Sequence, residues 1–155
     1  MKSFLLATII ILSLASCDLF TKKKNDSADA KQQMMDADKA FSKLSEEKGM
    51  KAAFIEYIDS NGVLLRANEM PVIGADAIDY LIQQNDSTYT LKWAPSKGVI
   101  AESGELGYTY GLYQLQSKIK DTVIFGTYVS IWKKQSDGSW KFVLDSGNEG
   151  VGEPQ

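Results

Sequence analysis

From Thr88 to Ser146 the chain runs through one stretch of β-branched and aromatic residues after another, and no other feature narrows its fold so much. TYTLKWA, GVIAES, LGYTYGLYQLQ, TVIFGTYVSIWKK and SWKFVLDS are rich in Tyr, Val, Ile, Trp and Thr. They are parted by Pro95-Ser96-Lys97-Gly98, Ser103-Gly104-Glu105, Ile119-Lys120-Asp121 and Ser136-Asp137-Gly138, which reads as consecutive strands joined by turns. Asp137-Gly138 is a hairpin signal. Before this region the period is helical. Asp26-Ser27 can cap a helix that begins near Ala28, and Met34, Ala37, Phe41 and Leu44 recur at three- and four-residue steps up to a stop at Gly49. MKAAFIEYI is a second helix with Phe54, Tyr57 and Ile58 on one face. Asp59-Ser60-Asn61-Gly62 is a turn signal, VLLRA a short strand, and ADAIDYLIQQ a third helix with Ala77, Ile78, Leu81 and Ile82 inward. Helices followed by consecutive strands imply an α+β fold, an antiparallel sheet curling over helices.

Alternation along the strands assigns faces. Leu106, Tyr108, Tyr110 and Leu112 share one face, and Gly107, Thr109 and Gly111 the other. In the next strand Ile124, Gly126, Tyr128, Ser130 and Trp132 lie opposite Val123, Phe125, Thr127, Val129 and Ile131. Gly107, Gly111 and Gly126 permit a sharp bend. In KFVLDS, strict alternation puts Asp145 on the face opposite Trp140, Phe142 and Leu144.

The N-terminus has a different logic. Lys2 precedes an apolar run from Phe4 to Leu14, and small residues Ala15 and Ser16 follow, the layout of a secretory signal. The run is short of the roughly 20 residues needed to span a bilayer. Leu14-Ala15-Ser16-Cys17 resembles the lipobox of bacterial lipoproteins, which implies acylation of Cys17 and cleavage before it. Two or three acyl chains would anchor stably where one is marginal. Cys17 is the single cysteine of the chain, so this assignment leaves none for disulfides, thiol catalysis or metal binding. The expected organisation is a signal peptide over 1–16, a lipidated cysteine and polar tether over 17–30, one domain over 31–147 and a disordered tail over 148–155. The expected location is the bacterial cell envelope, on the periplasmic or extracellular side, with inner and outer membrane both open.

Several marks lie within the domain: Gly49, Ala53-Phe54, Pro71-Val72-Ile73-Gly74, Trp93-Ala94-Pro95, the run Ser103 to Gly111, Gly126-x-Tyr128 with Trp132, and Gly138-x-Trp140-Lys141. With them the stretch from Ala37 to Gly147 resembles the domain of unknown function 4440, within the SnoaL-like, nuclear transport factor 2-like superfamily. The resemblance implies a cystatin-like cone: three N-terminal helices packed on a strongly curved, mainly antiparallel sheet, with a pocket at the open end. It also implies that a homodimer through the outer sheet face is open to such a chain. The superfamily includes ketosteroid isomerase and polyketide cyclases as well as members without chemistry, so the resemblance implies a fold more than a function.

Composition excludes several chemistries. The chain has no histidine, which removes Ser-His-Asp triads, Cys-His dyads and histidine metal sites. No metal or other cofactor is expected. Asp59-x-Asn61-Gly62 matches only the start of a calcium loop, and a plain turn explains it better. There is no glycine-rich phosphate loop, and a pI near 5.0 argues against nucleic acid. Carboxylate and tyrosine acid-base chemistry stays open, with Asp145, Tyr57 and Arg66 as candidates. Phe54, Tyr57, Trp93, Tyr108, Tyr110, Tyr128 and Trp132 are the candidate pocket walls. The favoured expectation is a lipid-anchored module that binds a small apolar or amphipathic ligand without catalysis. An enzyme resembling ketosteroid isomerase and a protein-interaction module are the alternatives. A buried carboxylate with a raised pKa in reach of a tyrosine would favour the enzyme.

Overall fold

The computed structural model describes residues 27–152. Helix α1 spans 27–48, α2 spans Met50–Tyr57 and α3 spans Ala75–Gln83. The strands are β1 (Ile58–Leu65), β2 (Val72–Ile73), β3 (Tyr89–Ile100), β4 (Leu106–Ser117), β5 (Val123–Lys134) and β6 (Trp140–Val151). They form one sheet in the order β2-β1-β6-β5-β4-β3, in which only the β1–β6 pair is parallel. The expected curved, mainly antiparallel sheet under three helices is what the chain forms.

Local chemistry explains the joints. Gly49 separates α1 from α2 at φ 95°, and a Cβ there would stand 2.6 Å from Asp86 Oδ2. That same oxygen accepts the Lys51 N–H at 2.8 Å, so a distant carboxylate caps the start of α2. Asp59-Ser60-Asn61-Gly62, expected as a turn, instead lies inside β1. The turn chemistry survives: Asn61 N–H donates to Asp59 Oδ1 at 2.9 Å, and the register to β6 shifts between Ile58 and Val63. TYTLKWA and GVIAES join into the single strand β3, with an irregularity between Pro95 and Lys97. Proline is tolerated because β3 is an edge strand.

Register bends the sheet. Between β5 and β6, Ile131 pairs with Leu144 but Trp132 with Phe142, so Val143 is an extra residue on β6. This bulge resets the alternation, and Asp145 joins Trp140 and Phe142 on the inner face rather than opposing them. The tether expected to reach residue 30 gives way to helix at 27, and Ala30 is already buried. The tail expected from 148 is strand through Val151, paired to β5. The signal segment and Cys17 lie outside the described residues. No helix among the described residues is long and apolar enough to cross a membrane.

The core lies between the helices and the inner sheet face. Phe41 is its hub, with ring centroids of Trp93 at 4.5 Å, Phe54 at 4.8 Å, Tyr57 at 5.0 Å and Phe142 at 5.5 Å. In α3, Ala77 and Leu81 are buried as expected, whereas Ile82 is exposed.

Candidate functional site

Cross-strand register sets out the inner face as rows. One row runs Leu91–Leu115, the next Trp93–Tyr113–Gly126–Glu149, the next Gly111–Tyr128–Gly147, and a fourth Gly98–Thr109–Ser130–Asp145–Leu64. The first two lie toward the open end of the cone. The fourth lies deeper, where side chains from α1 meet the sheet.

Asp38 projects from α1 into that deep layer and is fully shielded from solvent. Its Oδ1 accepts Trp93 Nε1–H at 2.7 Å, and its Oδ2 accepts Tyr128 O–H at 2.8 Å. The Thr109 hydroxyl, which accepts Trp132 Nε1–H at 2.8 Å, stands beside this carboxylate and also favours its charged form. Burial pushes the Asp38 carboxyl above its ordinary 3.8 against the pull of Trp93, Tyr128 and Thr109. Burial and then the nearby Asp38 carboxylate likewise push the Tyr128 phenol up. Two serines on the same helix fix α1 to β3. Ser42 Oγ donates to Trp93 C=O at 2.7 Å, and Ser45 Oγ to Leu91 C=O at 2.7 Å.

Asp145 forms a second polar cluster. Its Oδ1 accepts Arg66 Nη2 at 3.0 Å and its Oδ2 accepts Ser130 Oγ at 2.8 Å. Arg66 Nη1 donates to the carbonyls of Leu65 and Asp145, and the guanidinium sits 5.6 Å from the Phe54 ring centroid.

In front of these layers a cavity of about 630 Å³ opens at the wide end. Its apolar wall is Met50, Phe54, Leu91, Trp93, Tyr113, Leu115 and Tyr128. Arg66, Asn68, Asp145, Asn148 and Glu149 supply its polar groups. Tyr113 lies across Gly126, where any Cβ would run into its ring. Burial, and secondarily Glu149, push the Tyr113 phenol up.

Five of the sequence candidates therefore meet at the cavity: Phe54, Trp93, Tyr128, Arg66 and Asp145. Tyr57 is stacked on Phe41 at the core margin and does not line the cavity. Trp132 is fully buried against Thr109. Tyr108 and Tyr110 are 41% and 43% exposed on the outer face, because Gly107, Thr109 and Gly111 take the inner positions of β4. Sequence reasoning missed Asp38, Tyr113 and Glu149. Asp38 had a signal: it lies four residues after Met34 and three before Phe41, on the buried stripe. Glu149 had none, because its inward position follows from the Val143 bulge, which resets the alternation for the rest of β6.

This arrangement can hold a small molecule against aromatic walls. Tyr128 is bonded to a buried carboxylate with a raised pKa, the feature that would favour acid-base chemistry. That carboxylate, however, is spent on Trp93 and Tyr128 and lies behind the wall rather than in the cavity. Among the described residues, no group of three or more carboxylates stands together to hold a metal ion.

No protein-family model matches the chain, and no curated protein sequence does. Solved structures do. A ketosteroid isomerase-like protein from Erwinia carotovora atroseptica superposes with TM-score 0.60 at 12% identity, over 77% of this chain and 95% of its own. A candidate scytalone dehydratase from Novosphingobium aromaticivorans superposes with TM-score 0.62 at 14% identity, over 84% and 89%. A protein of unknown function with a cystatin-like fold from Nostoc punctiforme gives TM-score 0.59 at 13% identity, over 77% and 90%. Cone, register and neighbours together define the class: the chain has a cystatin-like, nuclear transport factor 2-like fold. At these identities the likeness speaks for the fold alone.

Proposed function

We propose that this is a membrane-anchored bacterial lipoprotein whose cone binds a small amphipathic molecule without converting it, and that it belongs with the domain of unknown function 4440. The observation that supports the binding reading is the open cavity of about 630 Å³, with an aromatic and aliphatic wall and its polar groups gathered on one side. Shielding of Asp38 supports the absence of catalysis, since a general base must reach the proton it removes. Native mass spectrometry of the protein purified from its host tests the reading. A co-purifying small molecule, lost when Leu115→Trp fills the cavity, is expected. Protein that is empty in every preparation would contradict it. Anchoring rests on the lipobox, and Cys17→Ala should release the protein from the membrane fraction. Continued partitioning with membranes would refute the anchor.

One observation favours a second reading, acid-base enzymology: the 2.8 Å bond between Asp38 and Tyr128. On that reading a bound ligand would be chemically changed during incubation, and the change would stop in Tyr128→Phe.

A further inference from the structure

We propose that the ligand of the cone is an organic cation: an ammonium group carried on an aromatic or apolar body. The inference rests on the binding reading above and names its ligand class.

The charges around the cavity are unequal. Among the described residues, two carboxylates line it, Asp145 and Glu149, against one cation, Arg66. Arg66 is already committed. Nη2 is paired with Asp145, and Nη1 donates to two main-chain carbonyls. An entering anion would therefore meet a guanidinium already paired with Asp145, and beside it the carboxylate of Glu149. Glu149 is in the opposite position. Among the described residues, no ion pair or hydrogen bond engages its side chain.

Glu149 also stands in a particular place. The row Trp93–Tyr113–Gly126–Glu149 sets two aromatic rings and this carboxylate in line across the inner face. Gly126 keeps the position between them free of a side chain, and the Tyr113 ring fills that space. The Val143 bulge, carried on without a break through the Asp145–Ser130 and Gly147–Tyr128 pairs, gives Glu149 this register. Phe54 and Tyr128 complete the wall. Aromatic faces attract a cation through the ring quadrupole, more strongly once it is desolvated, and Trp is the best of them. A carboxylate at the rim adds attraction that salt screens. A neutral amphiphile would gain only from the apolar wall.

The test uses the full-length chain and three probes of one shape: 1-naphthylmethylammonium, 1-naphthalenemethanol and 1-naphthoate, titrated calorimetrically at pH 7. The ammonium probe should bind about tenfold more tightly than the alcohol, with naphthoate weakest. The ammonium-to-alcohol ratio should fall severalfold in Glu149→Gln, and also on raising the salt. Equal affinities, tightest binding of naphthoate, or a ratio unchanged in Glu149→Gln would overturn the cation assignment while leaving the cavity reading in place. If no probe binds whatever its charge, the cavity reading fails, and this inference with it.

Discussion

Replacing Asp38 with alanine removes the acceptor on which two donors converge: Trp93 Nε1–H and Tyr128 O–H. Each buried donor left without a partner costs about 1–3 kcal/mol. Against that loss, the variant no longer carries a desolvated carboxylate, a burden of a few kcal/mol. We expect a net loss of about 1–3 kcal/mol, enough to lower the denaturation midpoint but within the roughly 5–15 kcal/mol typical of a domain. The effect should depend on pH, and the sign follows from burial. The folded-state pKa of Asp38 is raised above 3.8, so the folded chain takes up this proton at a higher pH than the unfolded chain. Stability from this group is therefore full below the unfolded value and is lost as pH rises through the folded one. The cost of Asp38→Ala should be larger at pH 4.5 than at pH 8. Urea denaturation followed by tryptophan fluorescence at both values measures this. A variant within about 0.5 kcal/mol of wild type, the range of a surface substitution, would refute the account of the buried layer. A cost that grows toward pH 8 would refute the sign.

Other substitutions probe separate joints. Phe41→Ala should cost about 3–5 kcal/mol, read from thermal unfolding, because five aromatic rings pack around this side chain. Gly49→Ala should cost about 1–3 kcal/mol through its left-handed φ and the nearby Asp86 carboxylate, and Asp86→Ala, which only uncaps α2, about 1 kcal/mol; helical circular dichroism against urea separates the two. Arg66→Met leaves Asp145 with Ser130 as its side-chain donor and should cost about 1–2 kcal/mol in guanidinium unfolding, less than a deeply buried pair because Arg66 is partly exposed.

How far the sequence could be read depended on the range of the forces involved. Helix α1, the turn at Asp137-Gly138 and the strand-rich second half are written in local periodicity, so they were legible. Alternation on β5 correctly put Tyr128, Ser130 and Trp132 together. It failed on β6, because Val143 bulges only in response to its partner strand, and that bulge carries Asp145 inward. Tyr108 and Tyr110 were expected in the pocket because they are aromatic. The concave side of β4 instead takes Gly107, Thr109 and Gly111, where Met34 and the Ala94 carbonyl leave no room for large side chains. Asp59 to Gly62 has the composition of a turn and makes its local hydrogen bond, yet it stays within β1 because pairing with β6 holds on either side, at Ile58 and from Val63 onward. Asp38 was the costly omission. An aspartate on an apolar stripe looks like an interruption until Trp93 and Tyr128, distant in sequence, are seen to donate to it.

The central claim is that a small molecule enters the cone against Trp93. The chain has three tryptophans, Trp93, Trp132 and Trp140, and of these only Trp93 lines the cavity. Indole N–H signals in a ¹H–¹⁵N spectrum therefore report on the site directly, using 1-naphthalenemethanol as a neutral probe independent of any charge preference. The account predicts a saturable shift of the Trp93 signal while those of the buried Trp132 and Trp140 stay in place. Shifts at Trp132 or Trp140 alone, or no shift at saturating probe, would contradict it.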